Sequence, residues 1–155
     1  MIDMTTWWID EPVLAGSPNP TDDDLARLRA EGFTVLVCLL DEAEQAPRYE
    51  VPAIERAGWV RHAIPVRDFH APSLAQLEQF VAIVRAAGPK AKVLVHCQGG
   101  SGRTGTMAAA CWIAKGIPTD EAIKHVRRLR PTAIETDEQG ALLHQFAARS
   151  SSSRA

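Results

Sequence analysis

Apolar residues along the chain fall into short runs, broken by proline, glycine and charge, and the runs alternate between strand-like and helix-like spacing. Trp7-Trp8-Ile9 and Val13-Leu14-Ala15-Gly16 flank Asp10-Glu11-Pro12, which predicts two short strands joined by a turn. Pro18-Asn19-Pro20 is a loop. Thr21 is placed to cap a helix from Asp22 to about Ala30, whose acidic first turn suits the positive end of the helix dipole. Gly32 ends that helix. Phe33 to Leu40 is nearly unbroken apolar sequence and predicts a buried central strand. A polar stretch follows, then a short helix near Arg48 to Ala57 and, after Gly58, a strand from Trp59 to Ile64.

Pro65 to Pro72 is a loop that holds Arg67, Asp68 and His70. Ser73 with Gln76 forms a capping box, and Leu74, Leu77, Val81 and Val84 follow at helical spacing up to Gly88-Pro89. Lys92 to His96 is a short apolar strand, Cys97 to Gly102 a glycine-rich loop, and a helix opens near Arg103 and runs to about Ala114. Another helix begins at Pro118-Thr119-Asp120 and stops before Pro131. Thr136 with Gln139 is a second capping box, opening a last helix to about Ala148. Strands alternating with helices indicate an α/β sheet covered on its faces. The serine-rich end, 150–155, reads as a flexible tail after one domain over 1–149.

Length and charge narrow the picture. The 155 residues fit one domain, and 46% hydrophobic with 23% charged residues fits a packed core. A net charge of −2 gives no electrostatic case for nucleic acid or an anionic membrane as partner. No apolar run is long enough to cross a bilayer, and Met1 to Asp10 has no basic residue, unlike a secretory leader. Three cysteines are too few for a disulfide-stapled domain, so a reducing cytoplasm is expected. A monomer is expected as well.

The chemistry is concentrated in His96-Cys97-Gln98-Gly99-Gly100-Ser101-Gly102-Arg103-Thr104-Gly105. A strand delivers one cysteine to its C-terminal end, where open α/β sheets place their ligands. Glycines at 99, 100 and 102 let backbone N–H groups converge on a ligand, and a ring of such donors at a helix N-terminus binds a tetrahedral oxyanion. Arg103 adds a planar fork for two phosphate oxygens. The same donors favour a thiolate at Cys97, and Thr104 is placed to give it a hydroxyl proton. A thiolate facing a phosphate suits in-line displacement through a cysteinyl-phosphate, with charge in the transition state met by the loop and Arg103 and no metal or other cofactor. A nucleotide-binding P-loop is excluded, because Arg103 rather than lysine precedes Thr104. Sulfur transfer also uses a cysteine in such a loop, but does not require the His-Cys start or the Arg-Thr-Gly end.

His96-Cys97-x-x-Gly100-x-x-Arg103-Thr104-Gly105 resembles the signature of the protein tyrosine phosphatase superfamily. The chain is similar to its small atypical dual-specificity branch, including compact archaeal forms. Ile64-Pro65-Val66-Arg67-Asp68-Phe69-His70-Ala71-Pro72-Ser73 resembles the family's general-acid loop. Arg127 to Pro131 and Ile134 to Gln139 resemble its segments around the last helix. The resemblance implies a central mixed sheet with helices on both faces, and hydrolysis of phosphotyrosine, with phosphoserine and phosphothreonine as further candidates, on protein substrates. It implies Cys97, Arg103, Asp68 and Thr104 as catalytic residues and the backbone from Gln98 to Arg103 as the phosphate cradle. His96, Glu135 and Gln139 are implied as supporting residues. His96 would tune the thiolate, Glu135 is the rival acid or a helper in hydrolysis, and Gln139 is a candidate to position water while also serving its capping box. A phosphopeptide-binding pseudoenzyme and a phosphatase of a non-protein ester stay open as alternatives.

Other residues carry weaker expectations. Arg67 stands where relatives often have proline, and its cation would hold Asp68 ionised and make it a poorer acid. The remaining histidines show no metal-ligand spacing. Cys38 reads as core, or as a thiol able to trap oxidised Cys97, and Cys111 as packing. Arg127, Arg128 and Arg130 read as a solvated face at a helix C-terminus.

Overall fold

The computed structural model describes residues 6–154, with side chains through Arg149. Its strands are β1 (Trp7–Asp10), β2 (Leu14–Ser17), β3 (Phe33–Cys38), β4 (Val60–Ala63) and β5 (Lys92–His96). They form one sheet in the order β1-β2-β5-β3-β4. β1 and β2 pair antiparallel, while β2–β5, β5–β3 and β3–β4 are parallel, so the sheet is mixed. β5 lies at the centre, which puts the residues after His96 at the middle of the sheet's C-terminal edge.

Both faces are covered, and alternation within the strands shows how. In a strand successive side chains point to opposite faces. Leu14, Val37, Val93 and Val95 enter a large core under helices α3 (Leu74–Ala87), α4 (Gly102–Ala114), α5 (Thr119–Leu129) and α6 (Asp137–Arg154). Ala15, Leu36 and Leu94 enter a smaller core with Leu25 and Leu28 of α1 (Asp22–Ala30) and Ile54 of α2 (Val51–Arg56). α4 is buried along almost its whole length, because its small residues Gly105, Ala108, Ala109 and Ala110 let it lie between the sheet and its neighbouring helices. The expected capping boxes form at Ser73 with Gln76 and at Thr136 with Gln139, and Thr21 pairs likewise with Asp24.

Three boundaries differ from expectation by two residues or more. β3 ends at Cys38, not Leu40; Leu39 and Leu40 stay buried outside the strand. An apolar run reports burial, and burial here outlasts pairing. The short helix starts at Val51, not Arg48, with Pro52 in its first turn. Arg48 is instead drawn to Asn19, donating from its backbone N to Oδ1 at 3.1 Å and from Nη1 to the carbonyl at 3.3 Å. α6 continues past Ala148 to Arg154, because Ser150 to Ser153 contain neither proline nor glycine to stop it. Ala155, the end of the expected tail, and Met1 to Thr5 lie outside the described residues. Among the described residues, no helix is long and apolar enough to cross a membrane.

Candidate active site

β5 ends at His96, and the chain passes through 97–101 before α4 begins at Gly102. The loop folds back on its own first residue. Gly100 N donates to Cys97 Sγ at 3.2 Å and Thr104 Oγ1 donates to the same sulfur at 3.1 Å. Two donors converge on one sulfur, itself only 2% exposed. Gly100 makes this turn at φ 76, and a β-carbon there would lie 2.5 Å from Pro18 N, so glycine is required twice over. The first N–H groups of α4 have no intrahelical acceptor and add to the positive end of its dipole beneath the loop.

The loop is held from several directions. Trp7 Nε1 on β1 donates to Gly100 O at 3.0 Å. Asn19 donates from its backbone to Gln98 O and from its side chain to Gln98 Oε1, both at 3.1 Å. Arg130 donates from Nε to Ser101 Oγ at 3.1 Å and from Nη2 to Gly99 O at 3.3 Å, while Ser101 Oγ also meets Thr132 Oγ1 at 2.7 Å. Arg130 is therefore more than part of the solvated face expected, while Arg127 and Arg128 are exposed as expected. Arg127 binds the carbonyls of Ala133 and Ile134, which face it because the chain turns back after α5.

Behind the loop, His96 is fully buried. Its Nδ1 lies 3.2 Å from Cys97 O and its Nε2 2.8 Å from Tyr49 Oη. A carbonyl only accepts, so Nδ1 carries the proton and Nε2 accepts from the tyrosine hydroxyl. Arg61 in turn donates from Nε to Tyr49 Oη at 3.3 Å and pairs through Nη2 with Glu42 at 3.0 Å. Burial pushes the His96 pKa down to about 3, with the Arg61 and Arg103 cations acting in the same direction against its bond to Cys97, so the ring is neutral. Burial also raises the Tyr49 hydroxyl, which stays a donor.

Arg103 is 2% exposed and reaches across to the loop after β4. Nη1 donates to Val66 O at 3.0 Å, Nη2 donates to Gln45 Oε1 at 2.9 Å, and Nη2 lies 3.2 Å from Asp68 Oδ1. The Asp68 carboxylate also accepts from Gln45 Nε2 at 2.9 Å and from Phe69 N at 3.0 Å. Asp68 is thus brought to the cysteine loop through Arg103. Arg67 is turned away, its side chain 66% exposed and paired with Glu44 at 3.1 Å.

Glu135 lies at the other edge of the loop. Its carboxylate packs so closely on Gly102 that a β-carbon there would collide with it. Gln139 is buried and largely committed: Oε1 accepts from Glu135 N and Thr136 N, and Nε2 donates to His70 O at 3.2 Å, linking α6 to the loop of Asp68. Cys38 pairs with His96 in the β3–β5 register and lies on the Tyr49 side of the sheet, whereas Cys97 belongs to the opposite core. The sheet therefore stands between the two thiols, against the expectation of a trapping disulfide. Cys111 packs in the α4 core, where burial pushes its thiol up to about 12.

Sequence reasoning missed Gln45, Tyr49, Asn19 and Trp7. None lies in a recognisable motif; Asn19 alone, between two prolines, carried a local sign of a fixed turn.

Comparison with known proteins gives a consistent picture. A family model described as polymorphic toxin system, DSP-PTPase phosphatase, matches residues 13–117. Mouse protein tyrosine phosphatase domain-containing protein 1 is 33% identical over 107 residues, 68% of this chain, which spans only 14% of that protein's length. The crystal structure of Tk-PTP in its active form superposes with a TM-score of 0.86 at 33% identity, covering 96% of this chain and 99% of Tk-PTP. PTPMT1 in complex with PI(5)P shares the fold, with a TM-score of 0.87 at 20% identity over 97% of this chain and 99% of that one.

Proposed function

The chain belongs to the cysteine-based protein tyrosine phosphatase superfamily, in its small atypical dual-specificity branch, and on that premise we propose that it hydrolyses phosphotyrosine on proteins, and phosphoserine or phosphothreonine in addition, through a cysteinyl-phosphate. The observation that carries this reading is Cys97 Sγ held by Gly100 N and Thr104 Oγ1 beside a buried Arg103. Phe69 supports an aromatic ester: it is 62% exposed, sits next to Asp68, and is held at φ 65, a conformation costly for a bulky side chain.

In the first step Cys97 Sγ attacks phosphorus in line. The P–O bond to the leaving group breaks, its electron pair goes to that oxygen, and Asp68, having taken up a proton, donates it there. Arg103 and the loop N–H groups receive the charge that spreads over the equatorial oxygens. In the second step water attacks phosphorus and gives its proton to the Asp68 carboxylate. The P–S bond breaks, its pair returns to Cys97, and inorganic phosphate leaves. Thr104, donating to Sγ, stabilises that departing thiolate, and Glu135 at the loop edge is the second carboxylate within the site.

The test is phosphate release from a phosphotyrosine peptide and a phosphothreonine peptide in EDTA, beside Cys97→Ser. Release from the first, abolished by the substitution, is expected, and the ratio between peptides sets specificity. No release from either, with vanadate still bound, would replace this reading with a phosphopeptide-binding module or a phosphatase of a non-protein ester.

A further inference from the structure

The stretch between β3 and α2 was unremarkable as sequence, yet it sends three side chains to the elements around the site. Glu42 pairs with Arg61, Glu44 with Arg67, and Gln45 touches both Arg103 and Asp68. Gln45 is half-buried, and its amide has a determined orientation. A guanidinium only donates, so Oε1 faces Arg103 and Nε2 faces Asp68. The amide is neutral and keeps a suitable partner on each side.

That neutrality matters once a phosphate arrives. In the structure Asp68 Oδ1 faces the Arg103 cation at 3.2 Å. A phosphate dianion on Arg103 competes for the same charge, so the ion pair weakens as the substrate docks. The Gln45 bonds do not depend on that charge balance. Nε2–H holds Oδ2 while Phe69 N holds Oδ1, so the carboxyl keeps its orientation when Arg103 turns to phosphate.

We propose that Gln45 is a positioning residue for the phosphatase reaction: it keeps Asp68 beside Arg103 while phosphate takes the guanidinium. This rests on the reading of Asp68 as general acid. Asp68 gives its proton to the leaving oxygen as the P–O bond breaks, and accepts one from water as the P–S bond breaks and its electron pair returns to Cys97.

The experiment uses the full chain with p-nitrophenyl phosphate, whose leaving group needs little protonation, and phenyl phosphate, whose leaving group needs much. Gln45→Leu is expected to lower kcat/KM for phenyl phosphate about 10-fold more than for p-nitrophenyl phosphate, while vanadate inhibition changes less than about 3-fold. Gln45→Glu keeps an acceptor for Arg103 but loses the donor to Asp68; it is isosteric and is expected to show the same dependence on leaving group. In an Asp68→Ala background, Gln45→Leu is expected to add less than about 2-fold on phenyl phosphate, because the two residues act as one unit. Equal losses on both esters, or a full additional loss in the Asp68→Ala background, would overturn the role of Gln45 alone. If Asp68→Ala itself shows no greater loss on phenyl phosphate, the assignment of the acid fails and this proposal falls with it.

Discussion

Lowering the pH toward 4 should destabilise this protein through one residue, His96. Its ring is fully buried, donates from Nδ1 to Cys97 O and accepts from Tyr49 at Nε2, so a second proton has no place to go. The folded pKa is held near 3, while the unfolded chain returns the ring to about 6.5. Between those values the unfolded state binds a proton that the folded state refuses. This contribution is therefore fully present above about pH 6.5 and is lost as pH falls toward 3, at roughly 1.4 kcal/mol per pH unit. At pH 5 the loss is about 2 kcal/mol, a sizeable part of an ordinary domain's stability. Urea unfolding of the wild type and of His96→Asn at pH 7, 6, 5 and 4.5 measures it. The variant starts less stable, because two buried bonds are disturbed, but its stability should fall less steeply than the wild type's. The exposed histidines and carboxylates contribute to both proteins and cancel in the difference. Parallel pH dependence in the two proteins would refute the assignment of His96 as a neutral, proton-excluding residue.

The other predictions concern how the site is held. Gly100→Ala introduces a β-carbon 2.5 Å from Pro18 N and 2.7 Å from Ser17 C at positive φ. Backbone cannot yield as a side chain would, so kcat/KM on p-nitrophenyl phosphate should fall by about 100-fold or more; near wild-type turnover would contradict the loop geometry. Tyr49→Phe leaves His96 Nε2 without its donor and should cost about 1–3 kcal/mol in urea unfolding, with a change below measurement error counting against the network. Arg130→Met keeps the stem but removes the bonds to Ser101 and Gly99, and vanadate binding should weaken by roughly 3–10-fold. Glu44→Gln breaks only an exposed ion pair, so stability should move by less than about 0.5 kcal/mol.

Much of the architecture was legible because local signals agreed with one another. The capping box at Ser73, the prolines and glycines around α1 to α5, and the short apolar run before Cys97 all pointed to the elements observed. The loop from Cys97 to Arg103 was legible for a different reason: a cysteine, three glycines and an arginine at that spacing have few other uses. What could not be read were contacts made across long sequence separations. Gln45 meets Asp68 and Arg103 only because β3, β4 and β5 lie side by side, and nothing in Glu44-Gln45-Ala46 marks that meeting. Arg67 and Arg130 show the same limit in reverse, since each was judged by its neighbours in sequence rather than by the partner the fold supplies. The end of β3 was misjudged because apolarity marks burial and does not distinguish a paired residue from one leaving the sheet.

The tethers on the cysteine loop come from Trp7 near one end of the described chain, Asn19 after β2, and Arg130 after α5. Such a loop has no private scaffold. Its shape is a property of the assembled domain, so no small fragment around Cys97 would reproduce it, and peeling β1 from the sheet edge would distort a residue 93 positions away in sequence. Reactivity should then be gained and lost in a single event. On heating, loss of turnover should coincide with loss of the fold, without a stage in which an intact body carries a melted site.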